Sequence, residues 1–84
     1  METYEIDISY SWGDEEEPVE IEAPDESTAF DIMLDMAVRE IKTCFRDGQN
    51  ECSYTLTVMP WNNQIILYYG YDDEECYYYL RKVN

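Results

Sequence analysis

The sequence predicts an α+β fold: one antiparallel sheet of about five strands in the order ββαβββ, with one helix packed on one face. Three observations predict it. Residues 3–12 and 52–59 alternate apolar and polar side chains, the period of two that marks a half-buried strand. Residues between Pro24 and Gly48 instead place their apolar side chains at helical spacing. Turn chemistry at 13–17, 60–63 and 72–75 separates the strand-like stretches.

In the first strand Tyr4, Ile6, Ile8, Tyr10 and Trp12 face one side, and Glu5, Asp7, Ser9 and Ser11 the other. Gly13 to Glu17 is the turn, and Pro18 opens a second strand with Val19, Ile21 and Ala23 inward. Glu20 and Glu22 then point outward. Pro24 stops the strand, and Asp25 or Ser27 is placed to cap a helix whose first turn is acidic, as the macrodipole favours. At 100° per residue, Phe30, Met33, Leu34, Ala37, Val38, Ile41, Cys44 and Phe45 share a broad apolar face. Asp31, Asp35, Arg39, Lys42 and Arg46 lie opposite, Asp35 and Arg39 spaced for an i,i+4 pair. Ile32 and Met36 fall off that face, as edge-of-core residues or a small exposed patch. Gly48 supplies the stop.

After the helix, Cys52, Tyr54, Leu56 and Val58 point inward and Ser53, Thr55 and Thr57 outward. Residues 64–71 are apolar on both faces, which suits a central strand. Residues 76–83, rich in tyrosine, make the last strand. Residues 1–84 form one domain, with no room for a second. Apolar residues make up 45 % of the chain, enough for a packed core and too many for disorder.

Charge is the extreme feature: twenty acids oppose five bases, for a formal charge of −15 with no histidine. The first base is Arg39, so every acid from Glu2 to Asp35 precedes any cation. Such a field repels nucleic acid and anionic membranes and attracts basic surfaces. Solubility alone asks for a net charge of about 2–8 in magnitude. The surplus points to a binding role, since self-repulsion destabilises the compact state. Cys44, Cys52 and Cys76 have no CxxC spacing and no histidine to complete a zinc site, so they read as core thiols in a reducing compartment. The first ten residues have neither the basic nor the apolar region of a secretory leader, and no apolar run approaches a membrane span. A cytoplasmic protein is expected.

Catalytic chemistry has little to build on: no histidine, no GxSxG, no phosphate-cradling glycine loop. Most carboxylates fall in turns and on wet strand faces, where burial cannot tune them into acid and base. The acidic turns at Asp14 to Glu17 and Asp72 to Glu75 lack the ligand spacing of a calcium loop. No enzyme activity, cofactor or metal is expected.

The carboxylates form a more telling array. Glu5 and Asp7 on the first strand and Glu20 and Glu22 on the second project from one face. Residues two apart on a strand lie about 6.8 Å apart and neighbouring strands about 4.8 Å. Duplex DNA carries one charge per about 1.7 Å of axis, split between two strands. Extended by Asp14, Glu15, Glu16, Glu17, Asp25, Glu26, Asp31 and Asp35, these carboxylates suit a site built for phosphates, and Asp72, Asp73, Glu74 and Glu75 at the other acidic turn are further candidate partner contacts.

In size, charge and lack of histidine the chain resembles the small acidic nucleic-acid-mimic inhibitors of phages and mobile elements, the anti-CRISPR-type proteins and restriction inhibitors. The resemblance implies a basic partner surface, such as that of a CRISPR effector nuclease, in the host cytoplasm. An immunity or antitoxin-type protein, or a non-catalytic subunit of a phage or bacterial complex, is the alternative. Tyr68, Tyr69, Tyr71, Tyr77, Tyr78 and Tyr79 exceed what one sheet face buries, so some are expected at an interface. Direct nucleic-acid binding through them would need a basic groove, and only Arg81 and Lys82 are near.

The net charge predicts a free monomer that gains stability with salt. Raising ionic strength from 0.01 to 0.15 M shortens the Debye length from about 30 to about 8 Å. Thermal midpoints measured across that range should rise; a flat or falling series would mean that the acids are already paired.

Overall fold

The computed structural model describes residues 1–11, 13–46, 54–69 and 74–83. They form β1 (Glu2–Tyr10), β2 (Val19–Ala23), α1 (Glu26–Arg46), β3 (Tyr54–Met59), a 3-10 turn (Pro60–Asn62), β4 (Gln64–Tyr69) and β5 (Glu74–Val83). All strands join one antiparallel five-stranded sheet, ordered β2-β1-β5-β4-β3, and α1 packs on one face. This is the α+β architecture, in the ββαβββ order, that the sequence predicts. Gly48, Cys52 and Ser53, assigned to the helix stop and the third strand, lie outside the described residues, as does Trp12.

The middle of the sheet is β5, the last strand in the chain, with β1 on one side and β4 on the other. β4 was the strand expected to be central; it is interior, one place from the edge. Its mixed pattern fits that place: Ile65 and Leu67 are buried under the helix, while Ile66 and Tyr68 lie half-buried on the open face. β5 begins at Glu74, two residues earlier than the tyrosine run suggests, because Glu74 and Glu75 pair with Tyr69 and Tyr68.

The core lies between the sheet and α1. Tyr4, Ile6 and Ile8 of β1, Ile65 and Leu67 of β4, and Cys76, Tyr78 and Leu80 of β5 are buried there. The helix contributes Ala29, Phe30, Met33 and Ala37. That face is turned by about 60° from the one expected, at 100° per residue. Ala29, Met33 and Ala37, four residues apart, are fully covered, and Ile41 and Leu34 sit only half-buried at one flank. Ile32 and Met36 form the other flank, packed against the core. Two alanines on the contact line let the helix axis approach the sheet, and Met33 between them fills the space that approach leaves.

Asp25 caps the helix. Its Oδ1 accepts the Thr28 backbone N–H at 2.8 Å, and its carbonyl accepts that of Ala29 at 3.1 Å. The bonds from Thr28 hold its carboxyl below the usual carboxylate range. At the β3–β4 hairpin Asn63 takes the left-handed conformation, φ 53°, that closes the 3-10 turn. Its carbonyl accepts the Leu80 N–H at 2.8 Å, fastening the hairpin to β5.

Truncating Met33 to Ala should cost about 2–5 kcal/mol, and Met33→Asp should unfold the domain. Ile41→Asp, at a half-buried flank, should cost clearly less in urea titrations followed by circular dichroism. Equal losses at both positions would move the centre of the contact face back towards Ile41.

Candidate partner-binding surface

The face of the sheet away from α1 has no covering element among the described residues. Antiparallel pairing decides what it displays, since residues directly opposite share a face. Glu5 stands opposite Glu20 and Thr3 opposite Glu22, so Glu5, Asp7, Glu20 and Glu22 project together from the β1–β2 side. Across β1, Glu5 faces Arg81, Asp7 faces Tyr79 and Ser9 faces Tyr77. Beyond β5, Gln64, Ile66 and Tyr68 continue the face, opposite Tyr79, Tyr77 and Glu75.

Arg81 modifies the array in a way that strand spacing alone did not reveal. Its Nη2 donates to Glu5 Oε2 at 2.7 Å and its Nε to Asp7 Oδ2 at 3.0 Å. One planar guanidinium thus spans two carboxylates two residues apart on β1. Lys82 pairs with Glu2 at 3.3 Å. Glu20 and Glu22, on the edge strand, are exposed and form no ion pair among the described residues. Glu20 also bears the cross-strand repulsion of Glu5. The outward-facing charge therefore concentrates on β2.

Asp14, Glu15, Glu16 and Glu17 are exposed at one end of the sheet. The turn is tighter and earlier than residues 13–17 suggest: the Gly13 N–H bonds the Tyr10 carbonyl, and the Tyr10 N–H the Asp14 carbonyl. Gly13 has φ 99°, a backbone that side chains rarely adopt. Glu15 then bridges to Ser9, and the Glu16 N–H bonds the Ile8 carbonyl. From Ile6 opposite Val19 to Ser9 opposite Glu15, β1 advances three residues and its partner four. The extra residue is a bulge at residues 16–18, where Pro18 has no N–H to lose. Glu16 turns towards the helix side and accepts the Tyr10 hydroxyl. Burial first, and that bond second, hold the Tyr10 phenol well above its ordinary range. Burial likewise pushes the neighbouring Cys76 thiol up to about 11.

The second acidic segment meets the first. Ser11 donates its N–H to the Glu75 carbonyl and accepts the Glu75 N–H on its Oγ, both at 2.9 Å. Glu75 therefore lies at the same end of the sheet as residues 14–17, in a strand and not in a turn. Its carboxylate bonds Tyr77, and that bond is the main cause of the raised Tyr77 phenol. Glu74 is also in β5. Asp72 and Asp73 lie outside the described residues. Asp31 and Asp35 are exposed on α1, in the other layer, and Asp35 holds Arg39 at 2.8 Å. The fold thus brings together the sheet-face and sheet-end acids and leaves the helix pair apart from them.

Tyr68, Tyr77 and Tyr79 lie on the open face beside these carboxylates, Tyr79 with 47 % of its surface exposed. Tyr78, between two of them in sequence, is buried under the helix. An open groove of about 500 Å³ lies between α1 and the β3–β4 hairpin, lined by Phe30, Leu34, Val58 and Pro60 together with Glu26 and Asp31. Among the described residues no group of three or more histidine, cysteine, aspartate or glutamate side chains is placed to hold a metal ion. None of their helices is long and apolar enough to cross a membrane.

Comparison with protein-family models, curated proteins and solved structures gave no match.

The Arg81 clamp and the Glu5–Glu20 pair make opposite predictions for stability. Arg81→Gln leaves Glu5, opposite Glu20, and Asp7 without their shared cation and should destabilise the fold by about 1 kcal/mol at low salt. Glu20→Lys replaces repulsion by attraction and should be neutral or stabilising by up to about 1 kcal/mol. Urea titrations at two ionic strengths check both, and salt should shrink both differences.

Proposed function

We propose that this chain is an acidic protein inhibitor that occupies a basic, nucleic-acid-binding surface of a host defence nuclease, of the anti-CRISPR or restriction-inhibitor kind, by charge mimicry of DNA or RNA. It acts by binding and not by catalysis, in the cytoplasm of the host cell. The observation that carries this reading is the placement of Glu20 and Glu22: exposed carboxylates about 6.8 Å apart on an edge strand, next to a sheet end lined by Asp14, Glu15 and Glu17. A basic groove that tracks a phosphate backbone meets charges at that order of spacing. Edge-strand carboxylates can also enter a groove without the sheet having to open.

Glu5 and Asp7 play a supporting part in this reading. Bound to Arg81, they keep the face rigid and hold Tyr79 and Tyr77 next to the charge. Tyrosine beside carboxylate is a good anchor for arginine and lysine side chains. The same tyrosines support the second reading, an immunity or antitoxin-type protein whose contact is aromatic first and charged second.

The test is capture of targets from a bacterial lysate at low salt, followed by elution with duplex DNA. Mimicry predicts release by DNA and a steep loss of binding with salt. Glu20→Lys with Glu22→Lys should weaken binding at least tenfold, about 1.4 kcal/mol, while leaving the domain at least as stable. Asp31→Lys with Asp35→Lys on the helix should change affinity little. Binding that survives high salt and the β2 reversal, yet fails in Tyr79→Ala, would replace charge mimicry by the immunity-type reading.

A further inference from the structure

The two edges of the sheet are unlike. β2 is guarded: it carries Glu20 and Glu22, begins after Pro18, and adjoins residues 14–17. β3, the opposite edge, reads Tyr-Thr-Leu-Thr-Val-Met, with no charge, proline, glycine or bulge. Its outer side has no partner strand among the described residues. The absence of charge extends well past the strand. Residues 52–71 contain no Asp, Glu, Lys or Arg, so all twenty acids and five bases lie elsewhere in the chain. We propose that the β3 edge is a self-association surface, through which two copies pair antiparallel into one continuous ten-stranded sheet.

Charge selects a second copy at this edge and no other. Two chains at −15 each meet least repulsion where neither presents charge, and among the described strands β3 and the β4 strand behind it are the ones that carry none. Pairing there also separates the acidic halves. β1 lies three strand spacings from β3, so the two β1 strands would be seven spacings apart, about 34 Å. The Debye length at 0.15 M is about 8 Å. A partner carrying basic charge would gain nothing at this edge and is drawn to β2 instead.

The residues are self-complementary as well. A two-fold axis through Leu56 sets Leu56 against Leu56 on the helix side and Thr55 against Thr57 twice on the open side. Leu56 is half-buried in the single chain, so the junction covers apolar surface that one copy leaves partly wet. Threonine pairs directly opposite are favourable on an open sheet face. Glu26 and Asp31 line the groove beside Val58, towards one end of the strand. The two-fold axis sends the two grooves to opposite ends of the junction. The area is small: a six-residue strand about 20 Å long, across a sheet and helix layer about 20 Å thick, gives about 400 Å² per copy. The total of about 800 Å² falls short of the roughly 1,200 Å² of a stable interface and fits a weak, transient dimer. The free monomer expected from net charge assumed that charge covers the whole surface, and here it does not.

Sedimentation of the purified chain over about 10 μM to 1 mM, at about 0.02 and 0.5 M salt, tests the proposal. A monomer–dimer equilibrium that tightens with salt is expected. Thr55→Lys with Thr57→Lys would put lysine opposite lysine at exposed positions and should weaken the dimer at least tenfold, with an unchanged circular dichroism spectrum. Its net charge is −15 + 2 = −13, so general repulsion alone would predict a tighter dimer. Glu20→Gln with Glu22→Gln has the same net charge, −13, and should dimerise at least as well as the parent. A parent that stays monomeric at every concentration and both salts overturns the proposal, as does a dimer that survives the threonine substitutions or is lost in the glutamine variant. None of these outcomes depends on the inhibitor reading, which is tested at β2.

Discussion

Insertion of β5 between β1 and β4 is the constraint on which the rest of this structure depends. The β1–β2 hairpin belongs to the first quarter of the chain and the β3–β4 hairpin to the second half, and in the sheet only β5 joins them. Because β5 pairs on both sides, its alternation sorts both faces at once. Cys76, Tyr78 and Leu80 go under the helix, and Tyr77, Tyr79 and Arg81 go to the open face. A slip of one residue would bury Arg81 and expose the core, so the register is strongly specified. Two further ties hold it, at opposite ends of the strand: Asn63 to Leu80 and Ser11 to Glu75. These are contacts between distant parts of the sequence, the kind that make sheet topologies slow to fold.

That register also explains how the fold tolerates its charge. Glu5, Asp7 and Glu20 crowd one patch of the sheet, and like charges on paired strands repel. The same alternation that removes Tyr78 and Leu80 from solvent delivers Arg81 to the position opposite Glu5. One cation then serves two carboxylates through a fork, a geometry that lysine lacks. The other described acids are spread mainly over an edge, a sheet end and an exposed helix face, where water and salt screen them. None of the described acids is buried. Self-repulsion is thus distributed, and the core itself carries no unpaired charge.

Much of this was legible in the sequence, and the limits have physical causes. Period-two alternation in 3–12 and 52–59 located β1 and β3, and cap chemistry at Asp25 located the helix start. The outward set Glu5, Asp7, Glu20 and Glu22 follows from the same alternation and shares one face in the structure. Strand order did not follow, because alternation says which face a residue takes and nothing about its neighbour strand. Arg81 was therefore invisible as a clamp: its partners lie on a strand more than seventy residues away. The helix face was displaced for a different reason. Apolar bulk points to Leu34 and Ile41, whereas close approach to a sheet favours the small residues Ala29 and Ala37. Glu74 and Glu75 read as a turn because acids are rare in strands, and pairing with Tyr69 and Tyr68 prevailed over that preference.

The sheet order gives the molecule a polarity that composition hides. A net charge of −15 describes an average, yet the strands are divided along the sheet, with acids on β2, β1 and β5 and none within β4 or β3. β5 lies at the boundary and carries both characters, Arg81 beside Glu5 and Tyr77 opposite Ile66. Two edges with opposite chemistry need not compete for the same partner. The charged edge attracts over a distance set by screening and falls silent at high salt, whereas the bare edge works only at contact and is helped by salt. Sequence position enforces the separation. The acids before Arg39 lie on β1, β2, the segment between them, the helix and its cap, and residues 54–69 form the far edge and its neighbour strand without a single charge. Under the proposed function, a basic surface would therefore meet β2 first, with β3 facing away.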